Sequence, residues 1–296
     1  MISQRVTQNS IANRALTGLQ GNLTRMSRLQ EQLTSGKQIQ RPSDSPAGTA
    51  AALGIRSDMR AIQQYTRNAD NGLGWLATAD TTLTSGLDQV RRVRDLTLQG
   101  MSSVSAGSAQ ARDALAAEVD QIRESLINLA NTRYGDRPVF GGTTANGAAY
   151  TPAGAYMGET EPVQRTLADG VRVRVDTDGP ATFGTGNTQL FTVLADISQA
   201  LRTDPSALNA GLGRLDTAMQ RLQTQLSDVG ARYNRLAQMR QTAEDRLLTL
   251  RTELSDVEDI DLPETIMHLQ LQETAYQAAL GATARAVQPS LMDFLR

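Results

Sequence analysis

Stepping alternately by three and four residues from Leu212 lands on Leu215, Met219, Leu222, Leu226, Val229, Tyr233, Leu236, Arg240, Ala243, Leu247, Leu250, Leu254 and Val257. Only Arg240 among these fourteen positions is not apolar. A stripe one side chain wide, kept for more than six heptads, is the seam of a coiled coil rather than the face of a helix lying on a broad core. At about 1.5 Å per residue such a helix is roughly 70 Å long, more than a compact globule would hold. The other end of the chain repeats the pattern. Leu16, Leu19, Leu23, Met26 and Leu33 keep the spacing except at Gln30, and Ile55, Met59, Ile62, Thr66, Ala69, Leu73, Leu76, Asp80, Leu83, Leu87 and Val90 continue it. A third run, Leu115, Val119, Ile122, Leu126 and Leu129, predicts another helix, with Ser105 to Ser108 as the loop leading into it. After Pro263 the spacing resumes at Ile266, Leu269, Tyr276, Leu280, Val287 and Phe294. Helices at both ends need partners, and the economical arrangement pairs them with one another.

Proline and glycine separate these helices from a different kind of middle. Residues 47–137 and 206–262 contain no proline, whereas ten of the 24 glycines lie between Gly135 and Gly186. Arg165 to Val175 reads as a strand, an Asp169-Gly170 turn and the alternating strand Val171 to Val175, followed by a second turn through Asp176 to Pro180. The predicted fold is mainly α with a β-rich insertion, a long antiparallel bundle or coiled coil formed by both chain ends around a small β unit. The expected divisions are a terminal helix at 1–40, a helical rod at 41–137, the β-rich unit at 138–187, the returning rod at 188–262 and a second terminal helix at 263–296. Each terminal helix carries one seam and no guaranteed partner, so residues 1 to about 40 and about 264 to 296 are expected to be disordered or only loosely helical in a free chain.

Composition narrows the chemistry. Cysteine is absent and histidine occurs once. Disulfides, thiolate nucleophiles, sulfur-ligated zinc and the two-histidine protease motif are therefore excluded, and a Ser/His/Asp triad could form only through His268. Formal net charge is −2, too small to steer the molecule onto nucleic acid or an anionic membrane. Every basic residue is Arg except Lys37. Arg91, Arg92 and Arg94 beside Asp95 lack the aromatic interleaving of a nucleic-acid surface. No apolar run approaches 18 residues, and the N-terminus lacks the apolar stretch of a secretory signal, so neither membrane insertion nor export by that route is expected. Asp176, Asp178 and Gly179 look like the start of a calcium loop, but the EF-hand spacing and distant Glu are missing and a turn is the better reading. The acidic run Glu253, Asp256, Glu258, Asp259, Asp261 and Glu264 could meet a cation or a basic partner, although such runs are more often solvated breaks between helices, as Pro263 suggests. Trp75 and His268 lie within helical runs and read as packing residues. No catalytic, cofactor-binding or metal site is expected.

Local strings point further. Glu31 to Ile39, reading E-Q-L-T-S-G-K-Q-I, and Pro42 to Gly48, reading P-S-D-S-P-A-G, resemble the corresponding segment of the flagellar hook-associated protein 3 group, relatives of flagellin. The resemblance continues through Arg92 to Leu96, Leu129-Ala130-Asn131, Phe140-Gly141-Gly142-Thr143, Val229 to Leu236, Glu258 to Glu264 and the terminal Ser290 to Leu295. It departs at Gln38, where Arg is usual, and at Ser45, where Asp is usual, and Ala47-Gly48 is more like flagellin. It implies a structural axial protein at the hook–filament junction, extracellular, exported by the flagellar type III apparatus. The implied partners are other copies in a ring, hook-associated protein 1 and flagellin as axial neighbours, and an export chaperone. Subunit packing is then expected at Leu16, Leu19, Leu23, Met26, Leu33, Leu226, Val229, Leu236, Leu247, Leu250 and Leu254. Arg92, Arg94, Asp95, Asn234 and Arg235 are candidate polar contacts between subunits, and Ile266, Leu269, Tyr276, Leu280 and Val287 a stripe for the chaperone and the N-terminal helix. A flagellin-type filament subunit and a coiled-coil signalling or scaffold module are the alternatives.

Overall fold

A computed structural model describes residues 8–102, 109–145 and 147–287. The expected loop at Ser105 to Ser108, Phe294 and the Ser290 to Leu295 string lie outside the described residues, as does the side chain of Val287. Seven α-helices are described: α1 Gln8–Ser35, α2 Pro46–Ser102, α3 Ala109–Ala130, α4 Gly179–Phe183, α5 Leu190–Thr203, α6 Leu208–Glu258 and α7 Leu262–Val287. Four short strands, β1 Arg133–Tyr134, β2 Arg137–Pro138, β3 Gln164–Ala168 and β4 Val171–Arg174, fall between α3 and α4. The mainly helical fold with a β-rich insertion is therefore the one expected. Two compact units divide it, Met1–Arg60 with Leu248–Arg296, and Ala61–Leu247, so the boundary falls inside α2 and inside α6.

In the second unit the seam of α6 has a seven-residue repeat. Leu208, Leu215, Leu222, Val229 and Leu236 are buried, while Met219, Leu226 and Met239 are partly buried against the same core. That alternation is what a 3.5-residue period produces on a helix of 3.6 residues per turn. On α2, Leu76, Ala79, Leu83, Val90 and Val93 are buried. Asp80, which the 3/4 stepping put on the seam, is exposed, because Ala79 occupies the inward position. Gly72 shows how tightly the two helices approach: a Cβ there would lie 2.4 Å from Leu236 Cδ2. Arg240, the break in the α6 stripe, is half-buried and paired with Asp70 at 2.8 Å and with Glu244 at 2.9 Å.

The insertion is more than strands. β1 pairs antiparallel with β2, and β3 with β4 through Gln164 opposite Arg174 and Arg165 opposite Val173, with an irregularity between Thr166 and Ala168. The Asp169-Gly170 turn joins β3 to β4, with Gly170 at φ +68°, a left-handed conformation that suits glycine. Three of the four phenylalanines, Phe140, Phe183 and Phe191, cluster with Tyr150 at ring-centroid distances of 5.1 to 5.5 Å. α5 was not foreseen. Its buried Leu190, Phe191, Val193, Leu194, Ile197, Ala200 and Leu201 cover too much of the helix to register as a narrow seam, and it packs on α3. Asp176 is fully buried rather than part of a calcium loop. It accepts hydrogen bonds from Val163 N at 2.9 Å and from Arg174 Nε and Nη2 at 2.8 and 2.9 Å, and the residues after it run into α4.

Leu236→Ala should leave a cavity where α6 crosses Gly72 and lower the unfolding free energy by about 2–5 kcal/mol. Leu248→Ala, at a position 65% exposed on the same helix, should change it by less than about 0.5 kcal/mol. Urea unfolding of the two variants beside the parent checks the assignment, and equal effects would show that it is wrong.

Candidate assembly site

In the first unit the two most distinctive strings of the sequence meet. α1 ends at Gly36, whose φ of +69° and N–H to Gln32 O at 2.8 Å form a glycine C-cap. The chain then runs through Lys37 to Ser45 before α2 begins, with Pro46 in its first turn and the Ser45 hydroxyl accepting from Gly48 N at 3.1 Å. Gly48 keeps this corner tight, since a Cβ there would lie 2.4 Å from Ile39 Cδ1. Asp44 organises the loop: its Oδ2 accepts from Gln40 N at 3.2 Å and Arg41 N at 2.9 Å, and its Oδ1 pairs with Arg28 at 3.0 Å.

The break between α6 and α7 lies against this loop. Lys37 forms an isolated antiparallel bridge with Asp259, made by Gln38 N to Glu258 O at 2.7 Å and Ile260 N to Gly36 O at 3.1 Å. The Glu258 side chain is 5% exposed, and its Oε2 receives both Lys37 Nζ at 3.0 Å and Arg56 Nη2 at 2.8 Å. Lys37 also reaches Asp259 Oδ1 at 3.0 Å, and Ser255 Oγ donates to Asp259 Oδ2 at 2.6 Å. Asp261 caps α7 through Glu264 N at 3.1 Å. The acidic run thus meets basic side chains of its own chain at Glu258 and Asp259. The local pattern marks Lys37 as the lone lysine and as a member of the Glu31 to Ile39 string but does not mark Arg56 or the pairing, because nothing local connects residues some 200 positions apart in sequence.

From this clasp α1 and α7 run back along each other in opposite directions, with Gln272 Nε2 3.4 Å from Asn22 O. Leu19, Met26 and Leu33 are half-buried on α1, in line with Ala15, Asn22 and Leu29. Leu16 and Leu23 are instead exposed at 54% and 47%; Leu29, not the Gln30 position of the stepping, continues the inward face, which is therefore rotated. On α7 Leu269 and Tyr276 are half-buried, in line with Thr265, Gln272, Ala279 and Thr283, whereas Ile266 and Leu280 are exposed, together with Met267 and Leu271. Nearer the clasp on α6, Leu250 is buried and Leu247 and Leu254 half-buried. Of the polar candidates, Arg92 binds Glu118 at 2.7 Å and Arg94 binds Asp216 at 2.8 Å, both within the chain, while Asp95, Asn234 and Arg235 are exposed.

No group of three or more His, Cys, Asp or Glu placed to hold a metal ion occurs among the described residues, and no helix among them is long and apolar enough to cross a membrane. The side chains are arranged for holding segments together. Residues 6–145 match the bacterial flagellin N-terminal helical region and residues 212–295 its C-terminal helical region. The chain belongs to the flagellin family. It is a structural protein of the bacterial flagellum. The flagellar filament 33 kDa core protein of Treponema phagedenis is 26% identical over 279 residues, covering 90% of this chain and 91% of that protein. Flagellar hook-associated protein 3 of Escherichia coli K12 is 23% identical over 278 residues, covering 85% and 87%. A solved structure of a putative flagellar hook-associated protein from Vibrio parahaemolyticus shares the fold at a TM-score of 0.67 and 21% identity, covering 73% of this chain and all of that one.

The charges of the clasp set a pH window. Hydrogen bonds from Arg41 N and Gln40 N hold the Asp44 carboxyl below its ordinary 3.8, and those from Ser255 and Lys37 do the same for Asp259; bonding to Asp259 and Glu258 raises the Lys37 ammonium above 10.5. A lowered carboxyl stabilises the fold above its unfolded pKa and ceases to do so as pH falls through the folded value. A raised ammonium stabilises below its unfolded pKa and ceases to do so as pH rises through the folded one. The clasp should therefore be strongest between about pH 4 and about pH 10 and loosen on both sides. Far-UV circular dichroism across pH should show helix loss at both edges, and helix content flat through both would contradict this.

Proposed function

We propose that this flagellin-family chain sits at the junction of hook and filament, as a ring of copies with hook-associated protein 1 on one side and flagellin on the other. The observation that carries the reading is the likeness of its fold to a hook-associated protein along that protein's whole solved length, and the P-S-D-S-P string, now seen as the loop that Asp44 organises, supports it. A filament subunit is the second reading, favoured by the identity to the Treponema filament core protein.

Assembly uses the apolar side chains that the free chain leaves outward on its terminal pair, Leu16 and Leu23 on α1 and Ile266, Met267, Leu271 and Leu280 on α7. Exposed apolar stripes of this kind associate unless covered. In the ring they pack against neighbouring copies, and before export an export chaperone covers the α7 stripe. Export runs through the flagellar type III apparatus. Asp95, Asn234 and Arg235 are the outward polar groups offered to adjacent subunits.

Gold-labelled antibody to this chain, applied to intact flagella, should mark one narrow band where hook meets filament. Label distributed along the filament would establish the filament-subunit reading instead.

A further inference from the structure

We propose that Met157 is a knob that enters, on a second copy of this chain, the apolar groove between α2, the β3–β4 hairpin and α6, so that each copy gives one such contact and receives another.

The knob stands out because the loop that carries it is fixed. Among the described residues of the second unit the large apolar side chains left exposed are Leu98, Met157 and Tyr233, and Met157 is the most open, at 65%. Its backbone is nevertheless tied down. Met157 N donates to Ala149 O at 2.8 Å, Glu159 N to Gly141 O at 3.1 Å and to Thr144 Oγ1 at 2.9 Å, and the Tyr156 hydroxyl to Glu159 O at 2.9 Å. The Tyr156 ring packs on buried Tyr150 with centroids 5.2 Å apart, and a Cβ on Gly158 would lie 2.5 Å from Tyr156 Oη. An unbranched thioether side chain on a rigid base adapts to the shape of a pocket while the backbone loses nothing further on binding.

The groove is equally prepared. Ile62 and Tyr65 on α2, Leu167 on the hairpin and Met239 and Ala243 on α6 line a groove of about 270 Å³. Leu167 is buried and the other four are half-buried. Asn68 Nδ2 holds the hairpin to α2 through Thr166 O at 2.8 Å, and Arg165 Nε does so through Asn71 Oδ1 at 2.9 Å, so the walls are set before anything enters. Arg246 is the one charged residue lining the groove. Beside Met157, by contrast, stand the exposed Glu159 and Glu161. Knob and groove thus match in apolar character and are opposite in charge.

Met157 does not fill the groove of its own chain, since it is exposed and lines no part of it. The two surfaces differ, so a contact between them is head-to-tail, and a series of such contacts closes into a ring or continues as a helix. This inference rests on the reading of the chain as an assembling axial subunit, and not on whether its place is the junction or the filament.

The chain has no cysteine, which makes cross-linking a clean test. Met157→Cys, Thr242→Cys on the α6 side of the groove, and the two together replace the parent in cells, and the isolated flagella are treated with a flexible bismaleimide. The doubly substituted chain should give a ladder of linked copies beyond the dimer, while each singly substituted chain stays monomeric. Monomers or dimers alone from the double variant would overturn the proposal, as would an adduct to a different protein. Incorporation is an independent readout. Met157→Asp should be at least about tenfold depleted from flagella, with its far-UV circular dichroism parental, whereas Met157→Leu should match the parent. Parental incorporation of Met157→Asp would overturn the contact even if the cysteine variants did not assemble. A ladder found together with gold label along the filament would sustain the contact and sink only the junction reading.

Discussion

An apolar stripe one side chain wide must always face another helix, and the rest of this structure follows from how each stripe meets that demand. Between α2 and α6 it is met within the chain. Leucine and valine recur every seventh residue from Leu208 to Leu236, and Gly72 lets Leu236 lie against the backbone of α2. Between α1 and α7 it is met only in part, because threonine, glutamine, asparagine and alanine share the inward faces while Leu16, Leu23, Met267 and Leu271 point outward. The two units therefore differ in what holds them: dispersion and burial in one, an ionic and backbone clasp in the other.

Such a division suits a flagellar structural protein. A subunit that ends in a polymer gains from a core that is complete alone and terminal helices that are completed by neighbours, since apolar surface saved for assembly cannot also stabilise the free chain. Glu258 is costly to bury, and Lys37 and Arg56 offset that cost by pairing with its carboxylate at 3.0 and 2.8 Å. The insertion follows other rules: aromatic packing of Phe140, Tyr150, Phe183 and Phe191 and the ion pair of buried Asp176 with Arg174 fix loops that carry little regular strand.

The long helices, the hairpin at Asp169-Gly170 and the family were legible in the sequence because each is a local signal: a 3/4 repeat, a turn dipeptide, a short string. Three features were not. On α1 the fixed step from Leu16 meets the inward face at Leu19, Met26 and Leu33 but lands on Leu16, Leu23 and Gln30 where Ala15, Asn22 and Leu29 face inward, because a stripe read without its partner has no anchor. α5 escaped because a helix buried on most of its surface shows composition without a narrow seam. The clasp escaped because Lys37, Arg56 and Glu258 are ordinary surface residue types, and only folding brings them together. The strings around Lys37 and Glu258 are marks of the family, and their pairing gives those marks a physical reason.

The central claim, that the second unit stands by its seam while the terminal pair depends on a clasp, is tested most directly by equilibrium urea unfolding of the free chain with two probes. Trp75, the single tryptophan, is buried in the second unit, whereas far-UV circular dichroism reports every helix. The account predicts that helical signal falls in a first step at low urea, before any change in Trp75 emission, and that the two probes then move together. Coincident single transitions from both probes would contradict it.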